Sequence, residues 1–220
     1  MCGSVDCRTS KEKAMKRALT PRDIAAKKWK TLPWGEKWSK PFGFPADNAS
    51  WFISGASASG KSSFVMQLGK ELCKYGTVLY MSYEEKVNQS FQRRMGYLKM
   101  NEVQGKFRVV PGSSLDELVE RLRKPKSPKF VVIDSFQVAP WDYPDAVELM
   151  ERFPKKCFIW ISQEKKSQPM GGGAVRLKYI CDMKVRVVGY KAYCQGRAIG
   201  DAGSYYVVWE EGIIRTSNNL

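Results

Sequence analysis

The sequence predicts an α/β fold built around a mostly parallel sheet. Three observations predict it: short, almost uninterrupted apolar strands, helix-like segments between them, and a glycine-rich loop after the first strand. Strands of a parallel sheet are buried on both faces, so they carry continuous apolar runs. A chain of 220 residues has room for one substantial core. We therefore expect one domain over residues 46–220, preceded by an arm over residues 1–45.

The predicted arm is basic and rich in aromatic residues. Residues 1–40 hold eleven Lys and Arg against four Asp and Glu, nearly half of the net charge of +15. Segments 10–19 and 21–30 each have the pattern of a short helix. Four large rings follow at Trp29, Trp34, Trp38 and Phe42. These rings either stack on nucleic-acid bases or dock the arm on the core, and the cost of exposing indoles favours docking.

From residue 50 onward, strands and helices alternate along the chain. Predicted strands cover residues 51–54, 77–83, 107–110, 130–133 and 157–161. Predicted helices cover residues 61–74, 87–99 and 145–153, and a fourth begins at Ser114, where Ser114-x-x-Glu117 has the pattern of a capping box. Segments 184–194 and 204–210 alternate polar with apolar residues, which predicts an antiparallel hairpin at the end of the sheet.

The loop after the first strand fits the phosphate-binding pattern GxxxxGK[ST]. It consists of Gly55, Ala56, Ser57, Ala58, Ser59, Gly60, Lys61 and Ser62, with Ser63 next to it at the helix start. In this pattern the glycines let backbone N–H groups point at the phosphates. Lys61 would reach the β- and γ-phosphates, and the Ser62 hydroxyl would ligate Mg²⁺. The loop follows an apolar strand and opens an amphipathic helix, so it predicts a site for ATP.

Acidic residues stand where two further strands end. Asp134 follows the apolar run 130–133 and fits the carboxylate that holds Mg²⁺; its alternative is an acid that caps a loop. Glu84 and Glu85 follow the strand after the glycine loop. An acid there can polarise a water for attack on the γ-phosphate, and the alternative is a solvated pair at a helix start.

These segments resemble the ATPase core of bacterial RadA. Residues 78–85 (VLYMSYEE) are similar to its YVSGEES segment, and residues 131–137 (VVIDSFQ) to its VVIDSIQ segment. The resemblance covers about residues 42–215. It implies a RecA-like fold, with a polar sensor of the γ-phosphate on the strand 157–161 and its continuation. It also implies that Glu84 is the catalytic base, with Glu85 in support and Gln163 as the sensor.

The resemblance also implies two loops that contact DNA. They correspond to residues 138–144 and to residues 165–176, KKSQPMGGGAVR. The second has suitable chemistry, since its cations neutralise phosphates and its glycines allow close backbone approach. The candidate residues are Lys165, Lys166, Gly171, Gly172, Gly173 and Arg176. The alternative is a flexible surface loop.

The sequence departs from RadA in three places. The zinc finger and the protease-like domain of RadA are absent, and its KNRFG motif is replaced by residues 190–197, YKAYCQGR. Lys191 and Arg197 remain candidates for cations that reach the γ-phosphate of a neighbouring subunit. RecA-like sites are usually completed in this way, so we expect a homo-oligomer, either a ring or a filament.

Composition excludes other classes. The six cysteines form no CxxC pair and histidine is absent, so we expect no zinc site. No apolar run approaches the roughly 20 residues that cross a bilayer, and we expect no membrane contact and a cytoplasmic location. The charge of +15 favours a polyanionic partner.

The function predicted from these features is a RecA- or RadA-like ATPase of DNA recombination, repair or replication, stimulated by single-stranded DNA and possessed by a phage or mobile element. Two alternatives stay open. One is a helicase or loader resembling the DnaB motor domain. The other is a KaiC-like regulatory ATPase, whose basic arm would dock on an acidic protein partner.

Overall fold

The computed structural model describes residues 17–196 and 200–217. The strands are β1 (Trp51–Gly55), β2 (Val78–Ser82), β3 (Phe107–Val110), β4 (Phe130–Asp134), β5 (Cys157–Lys165), β6 (Gln168–Pro169), β7 (Met183–Val188), β8 (Lys191–Cys194) and β9 (Tyr206–Val207). The α-helices are α1 (Pro21–Ala25), α2 (Glu36–Phe42), α3 (Lys61–Leu72), α4 (Gln89–Tyr97), α5 (Leu115–Arg123), α6 (Tyr143–Arg152), α7 (Gly172–Ile180) and α8 (Glu210–Ser217). A 3₁₀ helix covers Met100–Val103.

The central sheet has the strand order β3-β2-β4-β5-β1-β7-β8-β9. The first six strands in that order are parallel, and β8 and β9 continue the sheet in antiparallel pairing. Strands β1, β2 and β4 are buried along their whole length. The predicted α/β class, with a mostly parallel sheet and antiparallel strands at its C-terminal end, is confirmed.

Apolar side chains cover both faces of this sheet. One core cluster includes Phe64 and Leu68 of α3 and Tyr80 of β2. The other, on the opposite face, includes Leu118 of α5 and Leu177 of α7. Because both faces are covered, the central parallel strands are buried, and solvent reaches the sheet at the strand ends and at the edge strand β3.

Part of the N-terminal arm packs into the first of these clusters. Trp34, Trp38 and Phe42 are buried, and the ring of Trp38 stacks on Tyr206 with 4.3 Å between centroids. Docking is therefore confirmed for these three rings. Trp29 differs, since 65% of it is exposed. The domain boundary near residue 45 stays a prediction.

The structure corrects four predicted elements. The helix predicted over residues 21–30 ends at Ala25. Residues 10–16 of the other predicted helix lie outside the described residues, and residues 17–19 are not helical. The strand predicted over residues 204–210 is reduced to β9, because Glu210 already begins α8. The fifth strand continues four residues past Ile161.

The prediction of a loop over residues 165–176 is wrong, because most of this segment is strand or helix. Its first residue ends β5, β6 follows, and α7 begins at Gly172. Glycine costs a helix about 1 kcal/mol per residue. Burial of Ala174 and Leu177 against the sheet outweighs that cost here. The other predicted loop, 138–144, likewise ends early, since α6 starts at Tyr143 after the N-cap Asp142.

Among the described residues, no helix combines the length and the apolar character needed to span a bilayer.

Candidate functional site

The glycine loop joins β1 to α3 at the carboxyl edge of the sheet. Gly60 is the N-cap of α3 and has a φ of 99°, a conformation that glycine adopts without strain. The loop also closes on itself, because the Lys61 ammonium donates to the carbonyl of Ala56 at 2.7 Å. Burial lowers the pKa of Lys61, while the nearby carboxylates of Glu84, Asp134 and Glu164 oppose that shift. A triphosphate entering the loop offers this buried cation a stronger partner than a carbonyl.

The loop is shaped as a cradle. A Cβ on Gly55 would overlap the carbonyl oxygen of Val187, and one on Gly60 would lie 2.8 Å from the ring of Tyr190. The Ser59 hydroxyl is buried and has no hydrogen-bond partner among the described residues. The glycines therefore let the loop pack closely against Val187 and Tyr190. The unpaired Ser59 hydroxyl fits a bound phosphate, because it is a donor available to an acceptor.

Asp134 stands across the cavity from the loop, at the end of β4. It is 2% exposed, and one of its carboxylate oxygens accepts a hydrogen bond from the hydroxyl of Tyr80. Burial raises the pKa of this carboxyl to about 6, although the Tyr80 hydrogen bond and Lys61 act in the other direction. A buried carboxylate that prefers a proton is suited to a cation, because a divalent metal stabilises its charged form.

Glu84 is fixed beside Asp134 by the backbone. The N–H groups of Tyr83 and Glu84 both donate to the Asp134 carbonyl, at 2.6 and 3.0 Å. The Glu84 carboxylate then accepts a hydrogen bond of 2.7 Å from the side-chain amide of Gln163 on β5. The predicted base and the predicted sensor are therefore in direct contact.

Glu85 points elsewhere. Its carboxylate pairs with Arg94 of α4 and accepts a hydrogen bond of 3.0 Å from Ser90. This arrangement makes Glu85 part of the wall of the site and leaves Glu84 as the acid that faces the sensor. A catalytic role was predicted for both glutamates, and the geometry separates them.

One cavity of about 670 Å³ collects most of these groups, and Gln163 lies behind Glu84 without lining it. Its walls are the glycine loop with Ser62 and Ser63, the acids Glu84, Glu85 and Asp134, and Tyr190. Register explains the assembly, because Ser82 lies opposite Asp134 and Gly55 lies opposite Gln163 in the sheet. Ligands of parallel sheets bind at this carboxyl edge.

A second, mostly apolar cavity of about 290 Å³ adjoins the first. Ser63, Arg94 and Tyr190 line both, and Trp209 and Tyr97 line the second alone. The rings of Tyr190 and Trp209 meet edge to face, 5.0 Å apart. The two cavities together offer a polar chamber for phosphates and an aromatic one for a nucleoside.

Three residues that line the cavities or bond to a lining residue were not singled out from the sequence. They act through contacts that cross from one strand or helix to another, and they are Tyr80, Arg94 and Tyr190. No local pattern marks them, because each contact joins segments that are distant in the sequence.

A buried ion pair behind the loop was also missed. Glu164 of β5 accepts a hydrogen bond from Ser54 at 2.8 Å and another from Arg186 of β7 at 3.0 Å. The one available signal was an acid at the end of an otherwise apolar strand.

The candidate nucleic-acid residues do not form one loop. Lys165 and Lys166 are exposed at the turn between β5 and β6. Gly171 caps α7 with a φ of 89°, whereas Gly172 and Gly173 lie inside that helix. Arg176 lies over the ring of Tyr143, 4.1 Å from its centroid, and joins α7 to α6.

Of the two candidate cations for a neighbouring site, Lys191 is described by the structure and does not line the cavity. Lys191 begins β8, and its ammonium lies 4.6 Å from the ring centroid of Tyr205. Arg197 lies outside the described residues. Their action on a neighbouring subunit stays a prediction.

The sheet order and the glycine loop together define a P-loop nucleotide-binding fold. Two solved structures are similar to the chain. The flagellar accessory protein FlaH from Methanocaldococcus jannaschii has a TM-score of 0.57 at 15% identity, over 81% of this chain and 93% of that one. The ATPase domain of a helicase has a TM-score of 0.50 at 15% identity, over 72% of this chain and 79% of that one. No protein-family model and no curated protein matches the chain.

These likenesses establish the fold. The chain has the RecA-like P-loop ATPase fold, and the RecA-like architecture predicted from the sequence is confirmed. The narrower resemblance to RadA stays a prediction.

Proposed function

We propose that this protein hydrolyses ATP and that nucleic acid stimulates the reaction. One observation carries the proposal: Lys61, Asp134 and Glu84 surround one cavity, and Glu84 bonds to a residue of the strand that leads to the exposed Lys165 and Lys166. The site and the predicted nucleic-acid contact are therefore parts of one connected structure.

The Ser62 hydroxyl and, through water, the Asp134 carboxylate would hold Mg²⁺, which would supply neutralisation of charge on the phosphates. The protein's own groups do the rest. The loop N–H groups and Lys61 bind and orient the triphosphate, and Lys61 stabilises charge that develops on the γ-phosphate. The apolar cavity beside Tyr190 and Trp209 receives the base and ribose.

Glu84 is the proposed base. Its position beside Asp134 lets it orient a water for in-line attack on the γ-phosphate and accept the proton of that water. The side-chain amide of Gln163 holds the Glu84 carboxylate. When the γ-phosphate is present, Gln163 has a second acceptor within the site, so the hydrogen bond to Glu84 reports whether ATP or ADP is bound.

A hydrogen-bond path connects this sensor to Met170, the residue that follows β6. The backbone N–H of Gln163 donates to the side-chain carbonyl of Gln137 at 3.3 Å. The Gln137 amide then donates to Ser162 at 2.6 Å and to the carbonyl of Met170 at 3.0 Å. A shift of Gln163 would move the turn that carries Lys165 and Lys166.

This path supports a RadA-like, DNA-dependent activity in an oligomer. The nucleotide state at the cavity and the position of the exposed lysines would change together, as a motor or a recombination factor requires. Lys191 and Arg197 are the candidates for completing a neighbour's site.

The test is ATP turnover with and without single-stranded DNA, in the wild type and in Lys165→Ala/Lys166→Ala. We expect DNA to raise turnover of the wild type, and the double variant to keep its basal rate and lose the stimulation. A DnaB-like motor predicts in addition ATP-driven duplex unwinding by a ring. Turnover that is indifferent to any nucleic acid contradicts the proposal.

The similarity to FlaH favours one further candidate. FlaH is named an accessory protein, and its fold matches over 93% of its own length. A regulatory ATPase of this kind would bind a protein partner through its basic surface. Retention of a specific protein by the immobilised chain, with no retention of DNA, would support this candidate over the first.

A further inference from the structure

The opposite edge of the sheet, where the parallel strands begin, carries a concentrated positive charge. Three segments meet there, namely residues 27–30, 124–129 and 155–156. Together they contain eight lysines and no acidic residue. We call this surface the lysine ridge. None of its residues lines the nucleotide cavity.

Hydrogen bonds hold the three segments together. The backbone of Asp47 donates to the carbonyl of Lys30 at 2.8 Å, and the Asp47 carboxylate accepts from Lys129 at 3.0 Å. Lys129 also donates to the carbonyl of Lys155 at 2.7 Å. Lys156 donates to a backbone carbonyl of the second segment, also at 2.7 Å. The relative positions of the three segments are therefore fixed by hydrogen bonds from Lys129 and Lys156.

Most lysines of the ridge take no part in these bonds through their ammonium groups and are available to a ligand. Burial and the neighbouring Lys129 lower the pKa of Lys156, which shows how closely the cations are placed. A surface of one charge sign repels itself, and a polyanion relieves that repulsion while releasing counterions. The exposed lysines of the ridge include Lys27, Lys28, Lys124, Lys126 and Lys155.

An exposed indole stands within this surface. Trp29 lies between Lys28 and Lys30 and is 65% exposed, whereas Trp34 and Trp38 of the same arm are buried. Phosphates need only the lysines. An unpaired base, by contrast, gains from a ring on which it can stack, and every base has a face that stacks.

We propose that the lysine ridge binds single-stranded nucleic acid, with phosphates on the lysines and a base stacked on Trp29. The proposal rests on the proposed action on nucleic acid, and it adds a contact on the edge of the sheet remote from ATP. The exposed indole favours single-stranded nucleic acid over other polyanions. A duplex or an acidic peptide would contact the lysines and leave the indole without a partner.

The test is the affinity of the full chain for a labelled single-stranded oligonucleotide and for a duplex of equal length, without nucleotide, over a series of salt concentrations. Trp29→Ala is expected to weaken single-strand binding about tenfold and to leave duplex binding unchanged. Trp29→Tyr keeps a ring and is expected to restore most of the loss. Because Trp29 is exposed, its variants are expected to keep the wild-type melting temperature.

Charge is tested with a matched pair of double variants. Lys28→Glu/Lys155→Glu changes the ridge, and Lys99→Glu/Lys106→Glu makes the same charge change at exposed lysines elsewhere. The ridge variant is expected to reduce the slope of log affinity against log salt by about 0.7 for each lysine–phosphate pair that it removes. The control is expected to keep the wild-type slope.

Three results would overturn the proposal. They are wild-type single-strand affinity in Trp29→Ala, equal losses for single strand and duplex, and equal losses in the ridge and control variants. Displacement of the strand by polyglutamate as readily as by polythymidylate would assign the ridge to an acidic protein.

Failure of the ridge is distinct from failure of the proposed function. Turnover that DNA does not stimulate, together with the Trp29→Ala effect, refutes the function and keeps the ridge. If DNA stimulates turnover but Trp29→Ala binds single-stranded DNA as tightly as the wild type, the proposed function is kept and the ridge is refuted.

Discussion

The two ends of the parallel strands differ in the signs of the charges that they carry. The carboxyl edge combines positive and negative side chains, whereas the amino edge is almost entirely positive. At the carboxyl edge, Lys61 faces three carboxylates, those of Glu84, Asp134 and Glu164. At the amino edge, the lysine ridge contains eight lysines, and Asp47 ties two of them. A site that contains both signs of charge suits a metal ion together with a triphosphate. The carboxylates attract the metal cation, and the lysine attracts the phosphates. A surface of one sign suits a ligand that is anionic throughout.

This contrast shows how specificity arises in a strongly basic protein. Net charge attracts anions everywhere on the surface, but it does not select among them. In the proposed arrangement, selection at the carboxyl edge would come from buried, preorganised donors, and at the amino edge it would come from a single exposed ring. Substitutions at the carboxyl edge, in the N-terminal arm and in helix α7 test this contrast.

A large loss of turnover with ATP binding retained is expected at Glu84. Glu84→Gln should still bind ATP and should hydrolyse it at least about a hundredfold more slowly, because the water loses its base. Phosphate release under saturating ATP measures the effect. Glu85→Gln is the matched control, since Glu85 pairs with Arg94, and it should retain more turnover. Normal turnover in Glu84→Gln would move the base to Glu85.

The tryptophans of the arm should differ sharply in their effect on stability. Trp38→Ala should lower the free energy of unfolding by about 3–5 kcal/mol, because it removes a buried ring stacked on Tyr206. Trp29→Ala should change it by less than about 0.5 kcal/mol. Chemical denaturation of both variants measures these values, and equal losses would contradict the docked arrangement.

The Asp134 carboxyl should make the metal-free protein less stable as pH rises. Its pKa in the folded state, about 6, is above the ordinary value of 3.8. Its contribution to stability is therefore complete below pH 3.8 and is lost as pH rises through 6. Asp134→Asn removes this loss and keeps an acceptor for Tyr80. In chelator at pH 8 it should be more stable than the wild type, by up to about 3 kcal/mol.

Thermal unfolding between pH 4 and pH 8 checks this effect. The two proteins should unfold at similar temperatures at pH 4 and diverge above pH 6. A wild type that gains stability over the same range relative to Asp134→Asn would show that the carboxylate is stabilised when charged, and the proposed metal site would lose its electrostatic basis.

A small effect is expected at the glycines before Arg176. Gly173→Ala should stabilise the protein by about 0.5–1 kcal/mol, since the residue lies in a helix and the new methyl makes ordinary contact with Phe136. Gly171→Ala should destabilise it, because φ is 89° there. Equal, negligible effects in thermal unfolding would favour the flexible surface loop that the sequence analysis gives as the alternative.

Local patterns predicted much of this molecule. The glycine loop is a contiguous motif, and Asp134 stands at the end of a recognisable strand, so both could be placed without coordinates. Tyr80 and Arg94 could not, because their partners are chosen by strand register and by helix packing. Trp29 and Trp34 are five residues apart in the same arm, and tertiary packing makes one ring exposed and the other buried. The glycines at the start of α7 became helical for the same reason.

Calorimetric titration with Mg·ATP tests most directly whether the loop from Gly55 to Ser62 holds the triphosphate. We expect one bound nucleotide for the wild type and for Lys74→Ala, whose exposed lysine lies just beyond the other end of α3. We expect no measurable binding for Lys61→Ala. Equal binding by the wild type and Lys61→Ala, or none by the wild type, would contradict the assignment of the loop.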